Sequence, residues 1–115
     1  MKALLRFRIA ALVAVVAAAS LAGSSASRAA APGRQHLIDM KGKRYRPDSL
    51  FITAGDTVVW NNADDEPHSV TMDTTEFDSG DINPGSKFRW TFRQKGRLRY
   101  HCEVHPRMKG TLIVR

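Results

Sequence analysis

Tyr100-His101-Cys102-Glu103-Val104-His105-Pro106-Arg107-Met108 is the stretch on which the reading of this chain turns. It holds the single cysteine, three residues before His105, which in turn lies three before Met108. The pattern Cys-x-x-His-x-x-Met places a soft thiolate, an imidazole and a thioether within one short segment. A second histidine, His68, stands upstream in Glu66-Pro67-His68-Ser69-Val70, at a strand-like position. A lone Cys-x-x-His would be a weak signal. The four residues together are specific.

The flanks of this segment read as strands. In Arg97-Leu98-Arg99-Tyr100-His101-Cys102, the residues Leu98, Tyr100 and Cys102 share parity. The sulfur is therefore expected on the core side, with Arg97, Arg99 and His101 outward. Gly110 to Arg115 repeats the alternation with Leu112 and Val114 on one face, so His105 and Met108 fall on the connecting loop. Further upstream, Phe88, Trp90 and Phe92 alternate with Lys87, Arg89, Thr91 and Arg93, the clearest period-two pattern in the chain, with one apolar and one wet face expected. Thr57-Val58-Val59-Trp60 has the content of a buried strand. Leu37 to Met40, Leu50 to Thr53 and His68 to Met72 are shorter candidates. Turn signals separate them at Lys41 to Arg44, Ala54-Gly55-Asp56, Lys95-Gly96 and Asn83-Pro84-Gly85-Ser86, the last with Pro and Gly placed for a type II turn. No stretch beyond the first 31 residues carries a convincing helical period. The expectation is an all-β, antiparallel sandwich or barrel forming one domain over residues 35–115.

The first residues stand apart. Lys2, Arg6 and Arg8 precede an apolar run from Ile9 to Ala22, and small residues follow through Ala31. This reads as a secretory signal peptide over residues 1–31, with cleavage after Ala26 or Ala31. An uncleaved anchor is the competing reading, but the run is short for a span of ~20 residues and diluted with alanine. Cleavage at Ala31 leaves 84 of the 115 residues, enough for one small domain. Without Lys2, Arg6, Arg8 and Arg28, 14 of the 18 basic residues remain against 11 acidic ones, so the net charge falls from +7 to about +3. A nucleic-acid reading based on the whole-chain charge would rest on the discarded segment, and none is made. No membrane segment remains after cleavage, and the mature protein is read as a monomer in the periplasm.

Exported proteins normally use cysteines in pairs. A single Cys102 excludes an internal disulfide and leaves three readings: a buried inert thiol, an intermolecular disulfide or a metal ligand. The neighbouring histidine and methionine favour the metal. Structural zinc sites usually close with four Cys or His ligands, whereas only His68, Cys102 and His105 are well placed here. Thiolate and imidazole suit copper in both redox states, and a thioether favours Cu(I), so the donor set reads as that of a blue-copper electron-transfer site. His36 and His101 are read as surface histidines, and Asp64, Asp65 and Glu66 as a solvated acidic rim. Met40 and Met72 are read as core or patch residues.

The segment Tyr100-His101-Cys102-x-x-His105-Pro106-x-Met108-x-Gly110 resembles the copper loop of the cupredoxin family, and its compact spacing is closer to amicyanin than to plastocyanin or pseudoazurin. Asn61-Asn62 through Pro67-His68-x-Val70, and Phe77-Asp78-Ser79-Gly80 with Pro84-Gly85, are similar too, so the resemblance runs from about Leu37 to Arg115. It implies a Greek-key β-sandwich carrying one mononuclear type 1 copper. His68, Cys102 and His105 would be equatorial ligands and Met108 the weak axial one. The implied function is single-electron shuttling, with the loop histidine as electron port. Partners would be redox proteins, such as a periplasmic dehydrogenase as donor and a c-type cytochrome as acceptor, docking near His105 and Pro106. Arg107 and Lys109 would rim that patch and favour an acidic partner face. In one departure, Ser69 stands where the family usually has an asparagine that braces the loop. Catalysis is not expected, since there is no open substrate position. The alternative is a copper carrier or storage protein using the same ligands.

Overall fold

The structure, a computed structural model, describes residues 33–115. The signal peptide read over residues 1–31 lies outside them. The described residues contain eight strands and no helix: β1 Gln35–Met40, β2 Tyr45–Arg46, β3 Ser49–Ile52, β4 Thr57–Asn62, β5 Thr71–Met72, β6 Lys87–Thr91, β7 Gly96–His101 and β8 Lys109–Val114. One sheet has the order β2-β1-β4-β6 and the other β3-β8-β7-β5. β1 and β2 pair directly in the first sheet, the chain then alternates between the two sheets through β7, and β7 and β8 pair directly as a hairpin.

The all-β sandwich is as expected, but its sheets are not wholly antiparallel. β1 pairs with β4 in parallel, as β3 does with β8. Period-two patterning cannot reveal this, because the alternation of side chains is the same in either direction. Parallel neighbours need a long crossover, and β2 and β3 supply one by carrying the chain from β1 across to the second sheet before β4 returns.

The core lies between the sheets. Ile38, Met40, Val58 and Trp60 from the first sheet meet Ile52, Tyr100, Leu112 and Val114 from the second. Trp60 has no exposed surface. Burying an aromatic of this size removes on the order of 200 Å² from water, an upper bound of about 5 kcal/mol. Its indole N–H donates to the Tyr100 hydroxyl at 3.3 Å, so the ring brings no unsatisfied donor into the core. The Tyr100 ring lies over Gly110, its partner across β7 and β8, where a Cβ would overlap the ring. Glycine at 110 is therefore the condition for seating Tyr100, two residues before Cys102. Met40 and Met72 are core residues, as expected.

The period-two pattern of β6 is only half realised. Trp90 is 47% exposed, Phe88 is half-buried, and only Phe92, beyond the strand, is buried. β6 is an edge strand. Its apolar face is covered by a loop residue instead, with the Phe77 ring 5.0 Å from Trp90 and 6.0 Å from Phe88.

Candidate metal centre

Strand direction gathers the site residues. β1 and β4 end at Met40 and Asn62, β7 ends at His101, and β8 begins at Lys109, all at one end of the sandwich. Cys102 follows β7 directly and is fully buried. The loop to β8 closes on itself: Met108 N–H donates to the His105 carbonyl at 2.8 Å, and Cys102 N–H to the Met108 carbonyl at 3.0 Å. His68 is not inside a strand as expected. It forms an isolated bridge with Ile82, and the strand begins only at Thr71. The Asn62 amide donates to the Ile82 and Glu66 carbonyls at 2.8 Å each, tying β4 to both sides of the loop that delivers His68.

The ligand atoms of His68, Cys102 and His105 lie within 4.8 Å of one another. The sulfur is 3.7 Å from Nδ1 of His68 and 4.0 Å from Nδ1 of His105. Both imidazoles turn Nδ1 toward the sulfur, and each has a carboxylate at its Nε2 edge. Asp64 Oδ2 lies 2.7 Å from His68 Nε2, and Glu66 Oε1 lies 3.3 Å from His105 Nε2. With His68 Nε2–H donating to Asp64, the His68 Nδ1 lone pair is left for a metal; Glu66 stands at the Nε2 edge of His105 as a charge neighbour, not as a hydrogen-bond acceptor. The set is two imidazole nitrogens and one sulfur around a point, with Met108 buried on the same loop. A soft donor beside imidazoles fits copper. His68 is buried, and His105 is 24% exposed at its side chain, so one ligand candidate reaches the surface.

One expectation is corrected here. Asp64 is not part of a solvated rim: beyond His68, it accepts the N–H of Gly42 at 2.7 Å and of Lys43 at 2.9 Å. Burial alone would raise its carboxyl, but these donors and the His68 ring hold it down at about 2. Glu66 faces His105 and Lys43, leaving Asp65 as the solvated member. His36 is partly exposed and outside the ligand group, and its Nε2 lies 2.9 Å from Asp56 Oδ2. His101 points outward as its parity requires and pairs with Asp73 at 2.7 Å.

Ser69 braces the loop. Its hydroxyl accepts the N–H of Glu103, the residue after Cys102, at 2.9 Å. Its carbonyl accepts the Tyr45 hydroxyl at 2.5 Å. Burial pushes the Tyr45 phenol far above its usual range, with the charge of Cys102 adding to the shift, so this donor keeps its proton.

The family model for the cupredoxin-like domain matches residues 10–114. The chain belongs to the cupredoxin family. Amicyanin from Paracoccus denitrificans is 28% identical over 83 residues, covering 68% of this chain and 63% of that protein. Plastocyanin from Scenedesmus fuscus is 35% identical over 83 residues, covering 61% of this chain and 85% of that protein. A solved structure of the Cu(I) form of an amicyanin variant superposes with a TM-score of 0.67 at 28% identity, covering 75% of this chain and 86% of the other. Cupredoxins carry one type 1 copper ion and transfer electrons through it. The grouped thiolate and imidazoles meet that requirement.

Proposed function

We propose that this cupredoxin is a small exported protein of the periplasm that shuttles single electrons between redox proteins. His68, Cys102 and His105 would be the equatorial copper ligands, and Met108 the weak axial one. Bound there, copper supplies a one-electron couple between Cu(II) and Cu(I). The observation that carries the reading is the convergence of the Cys102 sulfur on two Nδ1 atoms, with the His68 ring already held by its hydrogen bond to Asp64. Ligand side chains held in this way need little rearrangement when charge changes by one unit.

His105 serves as the port. It combines a position beside the thiolate with surface exposure, next to Pro106 and the 56%-exposed Val104. A cleft of about 750 Å³ opens beside it, with Lys43, Arg44, Arg107 and Lys109 among its lining residues. An apolar contact with a cationic margin suits a partner with an acidic face, in a small and short-lived complex. The donor and acceptor classes proposed are a periplasmic dehydrogenase and a c-type cytochrome. The test is a visible spectrum after one equivalent of Cu(II), run beside Cys102→Ser. An intense band is expected in the wild type and its loss in the variant. A colourless protein that nonetheless binds copper would overturn the shuttle and turn attention to a carrier.

A further inference from the structure

We propose that Ser69, Thr71 and Asp78 form an ordered hydroxyl relay that positions the peptide after Cys102, with Thr71 and Asp78 acting as positioning residues through Ser69. The inference deepens the copper reading and rests on it for its significance, but the hydrogen bonds that carry it involve the protein alone.

Proton counting settles the direction. An ionised carboxylate only accepts, so the 3.1 Å contact between Thr71 Oγ1 and Asp78 Oδ1 takes the single Thr71 hydroxyl proton. The 2.9 Å contact between Ser69 Oγ and Thr71 Oγ1 then requires Ser69 to donate. Ser69 keeps only lone pairs for the Glu103 N–H at 2.9 Å. Three bonds therefore run one way, from the Glu103 amide through two hydroxyls to a carboxylate. Without Thr71, the Ser69 hydroxyl would be free to rotate its proton toward the Glu103 amide. Bonds aligned head to tail polarise one another, most strongly where water is scarce. Ser69 and Thr71 are both buried. The end of the relay is itself held, since Asp78 Oδ1 also accepts the Gly80 N–H at 3.0 Å.

The segment carrying the relay has separate support. Ser79 N–H donates to the Val70 carbonyl at 2.9 Å, and Val70 N–H to the Ser79 hydroxyl at 2.8 Å. Removing the Thr71 hydroxyl therefore leaves the chain between Val70 and Ser79 tied. What is lost is the orientation of one buried acceptor at the cysteine end of the copper loop.

The experiment is residue-resolved amide exchange by NMR on the metal-free protein, comparing wild type, Thr71→Val and Thr71→Ser. Thr71→Val should exchange the Glu103 amide about tenfold faster, the size expected for one lost hydrogen bond. The Trp60 amide should change by much less, and Thr71→Ser should restore Glu103 to within about twofold of wild type. Unchanged Glu103 exchange in Thr71→Val, or equal acceleration at Glu103 and Trp60, would overturn the relay. If Thr71→Val does not fold, Asp78→Ala at an exposed position is the second variant, with faster Glu103 exchange expected and an unchanged rate decisive against it. After copper loading, the visible band should shift in Thr71→Val and return in Thr71→Ser. A wild type without that band would defeat the copper reading, while the exchange data would still decide the relay.

Discussion

The two ends of the sandwich carry the same device. At the metal end, Asp64 gathers two backbone N–H groups, of Gly42 and Lys43, and the Nε2 edge of His68. At the other end, where β4 and β1 begin, Asp56 gathers the N–H groups of Thr53 and Arg34 and the Nε2 edge of His36. Both carboxyls are held at about 2: Asp56 chiefly by the Thr53 N–H and then by His36, and Asp64 against the opposing effect of burial. The difference lies on the far side of each ring. Nδ1 of buried His68 faces the Cys102 sulfur, whereas His36 is partly open to solvent and lies outside the ligand group. The same carboxylate–imidazole contact would support the proposed metal site at one end and is a structural clasp at the other. What separates them is the neighbour of the second nitrogen.

Asp64→Asn should break the resemblance most sharply. An amide can present its N–H to His68 Nε2 and so favour the tautomer with Nδ1 protonated, which opposes ligation. Loss of a partner that orients a ligating histidine typically weakens metal binding by about 10–100-fold, readable by competition with a copper chelator. Full retention of affinity would show that His68 is oriented by its own packing. Asp56→Asn should leave copper affinity unchanged and lower the thermal midpoint at pH 7. The Asp56 carboxyl sits near 2 in the folded protein, below the ~3.9 of an unfolded chain. Its contribution is therefore complete above about pH 5 and is lost as pH falls through about 2. The gap between variant and wild-type midpoints should shrink over that window; a gap as large at pH 2 as at pH 7 would show that the charge is not its source. The smallest effect is expected for His36→Gln. A glutamine amide can still donate to Asp56, so the midpoint should move by less than about 3 °C and the visible band not at all. A moved band would mean that the two ends are coupled through β1.

Much of this was legible along the chain. The parity of Leu98, Tyr100 and Cys102 placed the sulfur inside and His101 outside, and both positions hold in the structure. The Asn83-Pro84-Gly85-Ser86 turn closes as read, with Ser86 N–H on the Asn83 carbonyl at 2.9 Å and Gly85 at φ 82°. Asp64 was missed because three adjacent acids look alike in sequence. Only the approach of Gly42 and Lys43, more than twenty positions away, selects the one that turns inward. Trp90 lies on the apolar face read from the alternation and is still 47% exposed, because alternation identifies a face without identifying what covers it.

By itself, the sequence determined the donor chemistry and the strand periodicity, because thiolate, imidazole and thioether are properties of side chains, and alternation is a property of the local backbone. Tertiary structure alone decided which strands run parallel, which carboxylate meets which imidazole, and that the Ser69 hydroxyl reaches the Glu103 amide 34 positions away. Those outcomes depend on two distant segments arriving within about 3 Å of each other, a hydrogen-bond tolerance that no local pattern encodes.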